Sequence, residues 1–343
     1  MLVAAPKSTV PPLAVTGVML NSWACNVLFT AIDLELFDPI KEGVKTPSAV
    51  AQKLKLDERG VAIILDALVG LQLLEKSGNS YKLTEAAELY LVKSSPLYLG
   101  EFFEFGRSKG AEAWKSLTEC VRAGKPAQEV NKEAVAQQFF PILAAGLFPM
   151  NYATASMVVD NLHLDKLPKS ARVLDVAAGS AVWSIPLAEQ HSTLTVDALD
   201  FPPVLQVAER FAKKCGVHDR FKYLSGNWRD VTLQPDTYDI VILGHILHSE
   251  GQAASKELLG KMHKALKPGG RLIVAEFMPN EGRTGPLFPL LFAVNMYLQT
   301  SEGCVFSLPE LKGLLETTGF EKVSRLDLPF YKGESPVVVA TKK

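Results

Sequence analysis

The sequence predicts an α/β protein: a mostly parallel sheet covered by helices on both faces, preceded by a helical half with a winged-helix pattern. Three observations carry this. From about residue 166 onward, β-branched runs alternate with helix-length segments. Those runs are nearly continuous in apolar residues, as strands buried on both faces must be. The first 165 residues, by contrast, read almost entirely as helix with one short strand pair.

Bulk properties bound the problem. At 343 residues and 48 % hydrophobic content the chain can bury two cores, read here as 1–165 and 166–343 with KLPKSAR as a short polar link. A net charge of −1, from 36 basic and 37 acidic residues, gives no overall field to attract nucleic acid or an anionic membrane. A small neutral ligand is the better expectation. Cys25, Cys120, Cys215 and Cys304 lie far apart with no CxxC, which argues against a disulfide framework or a structural metal and fits a reducing cytoplasm. The opening MLVAAPKSTVPP lacks a basic segment followed by a clean apolar core, so it does not read as a signal peptide. Residues 13–32, LAVTGVMLNSWACNVLFTAI, carry no charge, but Asn21, Ser22, Asn26 and Thr30 would leave polar groups in lipid. They are expected to form a buried helix at a subunit interface.

In the helical half the informative stretch runs from Thr46 to Thr84. A Thr-Pro start, an amphipathic helix, a break at Lys55 to Asp57, a second helix and two short strands around SGNS make a winged helix-turn-helix pattern. A DNA reader would place Arg, Lys, Asn or Gln along the second helix. Here that helix reads DERGVAIILDALVGLQLL, with Arg59 its one basic residue, so packing is expected instead.

The second half supplies seven strand-like runs: RVLDVAA, LTVDALD, KYLSG, YDIVIL, RLIVAEF, EKVSRLDL and SPVVVATK. In such a sheet, ligands sit at the carboxyl ends of the strands, near the point where strand order reverses. The turn after the first run, AAGSAVW, holds a single glycine, Gly179, and matches no phosphate-binding fingerprint. The second run ends in VDALDF, placing Asp197 and Asp200 where a carboxylate would accept bonds from ribose hydroxyls. A nucleoside without phosphates follows. GNWRD after the third run offers the Asn227 amide and the Trp228 face to an adenine, although Trp228 reads equally well as core.

After the fourth run comes GHILHSEG, with His245 and His248 three residues apart. From the residues alone the two histidines can be metal ligands, an acid/base pair or packing; a metal would need further ligands, and only Glu250 is near in sequence.

DVAAGSA after RVL, the strand end LDFP, the GNW segment and ALKPGGRLIVAE resemble the class I S-adenosylmethionine-dependent methyltransferases. With the helical half included, the chain resembles the two-domain small-molecule O-methyltransferases of the caffeate and hydroxyneurosporene type. This resemblance implies a Rossmann-like seven-stranded sheet with the last strand antiparallel, and an N-terminal domain that pairs two subunits. It implies S-adenosylmethionine as cofactor, with Asp175, Ala177 and Gly179 at its methionine end, Asp200 and Phe201 at the ribose, Asn227 and Trp228 at the adenine, and Gly244 alongside. Ala177, Ala178 and Ala181 stand where that family has glycines. The resemblance also implies that His248 is the general base and Glu276 its orienting partner, with no metal, while Val305 stands where the family has a second glutamate.

Methyl transfer from a sulfonium is an in-line displacement that needs positioning, and a weakly nucleophilic hydroxyl also needs a base. The acceptor is expected between FPMNYATASM, through Phe148 and Met150, and FPLLFAVNMYLQ, through Phe292, Asn295 and Met296. These mostly apolar residues fit a flat or polycyclic secondary metabolite, and they fit ordinary core packing as well. Methylation of carbon or nitrogen, or a winged-helix ligand-binding regulator, are the competing readings.

Overall fold

A computed structural model describes residues 12–107, 111–162, 164, 167–328 and 335–343. The chain divides into two compact units, Met1–Phe103 and Glu104–Lys343. The division falls well before the change in sequence character, because helices that read as part of the first half belong to the second unit. The reading of the first residues as lacking a signal peptide, and the expected boundary at 165–166, lie outside the described residues.

The first unit begins with α1 (Leu13–Asp33) and α2 (Phe37–Lys41), followed by α3 (Pro47–Leu54), α4 (Glu58–Gly70), the antiparallel pair β1 (Leu74–Ser77) and β2 (Ser80–Leu83) and α5 (Glu85–Tyr90), and its end falls within α6 (Gly100–Phe105). The winged-helix pattern forms for the reasons legible in the chain. Thr46 caps α3 by accepting the Ala49 N–H, with Pro47 at the first helical position. Lys55 turns left-handed (φ 57°) to end the helix, and Asp57 caps α4 through the Gly60 N–H at 2.7 Å. Val61, Leu65 and Leu68 on α4 are buried against Val50 and Ala51 of α3 and against Leu74, Tyr81 and Leu83 of the wing. The presumed reading helix therefore spends its apolar face on its own core. The helix expected to be buried at a subunit interface, α1, is not buried within the single chain. Val18 is 71 % and Trp23 64 % exposed, because only the end of α1 joins that core, with Ala31 buried and Val27, Leu28 and Ile32 packed against it. By length and composition α1 and a second helix, Glu133–Asn161, could cross a membrane, but half of the latter is buried inside the fold.

The second unit opens with α7 (Ala111–Lys115), α8 (Leu117–Ala123) and α9 (Glu133–Asn161). The α/β part follows: β3 (Arg172–Val176), α10 (Ile185–Gln190), β4 (Thr195–Asp200), α11 (Pro202–Lys214), β5 (Phe221–Ser225), β6 (Tyr238–Gly244), α12 (Leu247–Ala265), β7 (Leu266–Ala275), α13 (Leu287–Gln299), α14 (Leu308–Thr317), β8 (Phe320–Arg325) and β9 (Val337–Lys342). All seven predicted strands are present, in the order β5-β4-β3-β6-β7-β9-β8, with β9 antiparallel to both neighbours. One core fills the face covered by α9, α10 and α11, and a second fills the face covered by α12 and α14. Order reverses between β3 and its neighbours β4 and β6, which puts a crevice at the carboxyl ends of these strands.

Candidate active site

Four acidic side chains with predicted or possible roles sit on β3, β4 and the end of β7. Asp175 on β3 is fully buried and accepts the Ser184 hydroxyl at 2.5 Å. Burial, with no cationic side chain of the described residues paired to it, pushes its carboxyl up to about 7. Asp200 ends β4. Its Oδ2 accepts the Gly179 N–H at 2.9 Å and its Oδ1 the Phe201 N–H at 2.7 Å, so it bridges the turns after two adjacent strands. Burial pushes it up to about 6 against those two bonds. Each of its oxygens keeps a second lone pair for a ribose hydroxyl. Asp197, the other ribose candidate, is committed elsewhere: it takes the Arg172 guanidinium at 2.6 Å and the Tyr238 hydroxyl at 2.8 Å. The fourth, Glu276, follows β7 and belongs with the histidines below.

The turn after β3 explains how alanines replace glycines. Ala177 (φ 52°), Gly179 (φ 58°) and Ala181 (φ 58°) are all left-handed, while Ala178 is not. The turn needs that backbone, and the two alanines adopt it at a cost of about 1 kcal/mol or more each. At the adenine end, Asn227 Oδ1 accepts the Arg229 N–H at 3.0 Å, which leaves its amide nitrogen outward. Trp228 lies in the core with its indole N–H unpartnered and the Arg229 guanidinium 4.4 Å over its ring. Gly244 is needed for close approach, since a Cβ there would stand 2.3 Å from Trp183 Cδ1. Sequence reasoning missed Trp183, the last residue of the turn it had singled out, and Ser184 directly after it.

The two histidines separate. His248 is buried at the start of α12, and its Nδ1 lies 2.7 Å from Glu276 Oε2 while its backbone N–H points at Glu276 Oε1 from 3.3 Å. Burial alone would raise Glu276; the positive charge available on His248, with these hydrogen bonds, outweighs it and holds the carboxylate below its ordinary range. The His248 carbonyl accepts the Cys304 N–H at 2.8 Å. With Nδ1 donating to the carboxylate, Nε2 carries the free lone pair. His245, at φ 63°, ends the β6 ladder with its N–H on Ala275 O and its Nε2 3.2 Å from Ser335 Oγ. One ligating atom each of His245, His248 and Glu276 lie within 4.8 Å of one another. Glu250, the metal ligand considered from sequence, instead pairs with Arg229.

An aromatic cluster adjoins His248. Phe292 of α13 meets it edge-on with ring centres 4.8 Å apart, Phe277 lies 6.0 Å away, and Phe277, Phe288 and Phe292 contact one another. Of the acceptor residues predicted, Phe292 is brought to the base. Asn295 is half-buried further along α13, with no hydrogen-bond partner among the described residues, and Met296 is buried. The other two are corrected: Phe148 is core, stacked 4.0 Å from Phe211, and Met150 is 43 % exposed, because the α9 segment that carries them packs on α11. Phe277 and Phe288 were missed; IVAEFMP drew attention to its glutamate alone.

A family model described as the O-methyltransferase domain matches residues 114–321, and one described as the O-methyltransferase dimerisation domain matches residues 17–93. The chain belongs to the O-methyltransferase family. As a member it is an S-adenosylmethionine-dependent methyltransferase. It is 27 % identical over 299 residues to the 3-hydroxy-5-methyl-1-naphthoate 3-O-methyltransferase of Streptomyces sahachiroi, covering 86 % of either protein. A crystal structure from Nostoc punctiforme that carries an O-methyltransferase name superposes with a TM-score of 0.85 at 27 % identity, over 98 % of this chain and 100 % of that one. The fold is also that of human N-acetylserotonin methyltransferase in complex with SAM, at a TM-score of 0.80 and 23 % identity, over 98 % of this chain and 99 % of that one.

Within this methyltransferase the left-handed alanines give a direct test. Ala177→Gly, at a half-buried position of that turn, should relieve the strain and raise the Tm, by up to about 1 kcal/mol of stability even though glycine loosens the unfolded chain. An unchanged or lower Tm would show that Ala177 bears no such strain.

Proposed function

We propose that this enzyme methylates a hydroxyl of a flat aromatic or polycyclic acceptor, with His248 as general base and Glu276 as the group that holds it. The observation that carries this reading is the buried His248–Glu276 pair facing an aromatic cluster. A carboxylate on Nδ1 selects the tautomer with a free Nε2 and stabilises the imidazolium formed when Nε2 takes the hydroxyl proton. Phe277, Phe288 and Phe292 offer edges and faces to a flat ring and keep water from the reacting oxygen. The naphthoate substrate named for the Streptomyces sahachiroi relative has such a shape.

The residues present fit the cofactor. Asp175 and the turn through Ala177 and Gly179 would hold its methionine end, Asp200 and Phe201 its ribose, and Asn227 its adenine edge, with Trp228 and Gly244 shaping the wall. When bound, S-adenosylmethionine supplies an electrophilic methyl on a sulfonium sulfur, which keeps the electron pair of the broken C–S bond. The acceptor oxygen forms the new C–O bond with its own lone pair, and its proton goes to His248.

The exposed apolar stripe of α1, with Val18 and Trp23, lies within the segment matched by the dimerisation model, and a second copy of the chain would cover it. Its four cysteines are free thiols, in keeping with a cytoplasmic enzyme.

His248→Ala should lower kcat by about 10²- to 10⁴-fold, and Glu276→Gln by about 10- to 100-fold, with cofactor affinity within about twofold of wild type in calorimetry. Unchanged turnover in both variants would reject their roles, and mass spectrometry locating the new methyl on carbon or nitrogen would reject the hydroxyl.

Asp175 and Asp200 titrate at about 7 and about 6, above the ordinary carboxylate value. Raised acids bind protons in the fold that the unfolded chain releases, so without ligand they weaken stability as pH climbs from about 4 to about 7. A cationic, hydroxyl-bearing ligand needs them ionised. Its affinity should therefore fall on going from pH 8 to 5.5, by up to about tenfold per pH unit per group below these values. Calorimetry across that range that shows a flat profile would remove both groups from the cofactor site.

Val18→Asp with Trp23→Asp should convert a dimer to a monomer in sedimentation analysis while leaving helical content intact; persistence of the dimer would place the interface elsewhere.

A further inference from the structure

His245 is unexplained by the base pair beside it. Its backbone is left-handed (φ 63°), a conformation that costs a non-glycine residue about 1–2 kcal/mol and that gathers at functional sites. The ring is fixed on three sides. It stacks on Phe277 at 4.4 Å and 26°, lies 5.6 Å from Trp183, and has Nε2 against Ser335. The remaining nitrogen, Nδ1, is buried without a partner among the described residues, and leaving such an atom unpaired costs about 1–3 kcal/mol. Burial, the largest influence, holds this imidazole at about 4, so it is neutral at physiological pH and serves as a fixed hydrogen-bonding group, not as a base.

Phe277 lies nearly parallel to both imidazoles, at 26° to His245 and 27° to His248, so one aromatic wall is shared by the two. The ring centres of the two imidazoles lie 6.1 Å apart. Two oxygens on neighbouring carbons of an aromatic ring stand about 2.7 Å apart, and each reaches a nitrogen at about 2.8 Å, so such a pair spans this gap.

We propose that His245 is a second acceptor-binding residue, whose Nδ1 hydrogen-bonds an oxygen on the ring carbon next to the one that carries the methylated hydroxyl. The acceptor class is then an ortho-dioxygenated ring, an ortho-diol or an ortho-hydroxyketone. This rests on the reading of His248 as the base that faces the reacting oxygen. A metal at the same three residues would have to break the His248–Glu276 hydrogen bond at 2.7 Å, which already satisfies both partners.

The test is acceptor binding to the full-length protein with S-adenosylhomocysteine present, using 2-naphthol and 2,3-dihydroxynaphthalene, with and without EDTA. Wild type should bind the diol about tenfold more tightly or better. His245→Leu should shrink that preference to within about twofold. His245→Asn should keep most of it, since its amide occupies the place of Nδ1 and Asn tolerates a left-handed backbone. The assignment is overturned if wild type shows no preference or binds neither compound. It is equally overturned if His245→Leu weakens both compounds alike, as a packing role requires, or if EDTA abolishes the preference, as a metal requires. Methyl transfer is read separately, on the same protein and acceptors with S-adenosylmethionine in place of S-adenosylhomocysteine. Preferential binding of the diol with no methyl transferred sinks the hydroxyl-methylation reading alone, whereas transfer without preference sinks the His245 assignment alone.

Discussion

The candidate site is organised around one carboxylate. Glu276 is 1 % exposed, and it takes both the ring nitrogen and the backbone N–H of His248. A buried carboxylate is tolerable only when compensated, and here the compensation is also what aims the imidazole. The backbone around it is built for this contact. Gly251 breaks α12 at φ 74° and ψ 179°, one turn after His248, and a Cβ there would stand 2.2 Å from the Glu302 carbonyl. A Cβ on Gly303 would approach the His248 carbonyl to 2.8 Å, on the side where the Cys304 N–H holds it. Two glycines thus let the 302–304 segment lie against the histidine's own backbone, so its ring has little room to turn away from the carboxylate.

Much of this was legible in the chain, and for identifiable reasons. The five inner runs became strands because burial on both faces leaves little freedom in composition, while the edge strands β5 and β8 are more polar and more exposed. Thr46, Asp57 and Ser307 start helices by side-chain chemistry that any sequence displays. What could not be read was which apolar segment faces which partner. Phe148 and Phe292 have the same local signature; only the packing of α9 on α11 sends the first to the core, while α13 carries the second to the base. The same holds for Asp197 and Asp200, three residues apart on β4. Arg172 on β3 and Tyr238 on β6 claim the first, and no local pattern announces them. The exposure of α1 in one chain follows from the same limit: an apolar helix reads as buried, but a single chain need not supply what buries it.

Strain is concentrated where the sheet opens. Three non-glycine residues with positive φ, Ala177, Ala181 and His245, lie in the turns after β3 and β6, the two strands at the reversal of order. Left-handed backbone at alanine and histidine is unfavourable in any context, and it persists only where surrounding contacts determine it. Ala181 is fully buried, the Gly179 N–H is tied to Asp200, and the His245 N–H is tied to Ala275. The tight turns expected of glycine are therefore imposed by the fold on residues that resist them.

Burial acts on Asp175, Asp200 and Glu276 in the same sense, yet the three titrate in opposite directions. Glu276 falls below its ordinary value, whereas Asp175 and Asp200 rise to about 7 and about 6. The difference is the partner. Glu276 faces an imidazole that can carry charge; Asp175 faces a hydroxyl, and Asp200 faces two backbone N–H groups. Neutral donors soften the cost of burying a carboxylate without cancelling its charge, and a cation cancels it. One half of the crevice therefore has within the chain a partner that can take up positive charge, and the other has none among the described residues. That asymmetry suits a ligand carrying an ammonium and a sulfonium beside Asp175 and Asp200, and an uncharged acceptor beside His248.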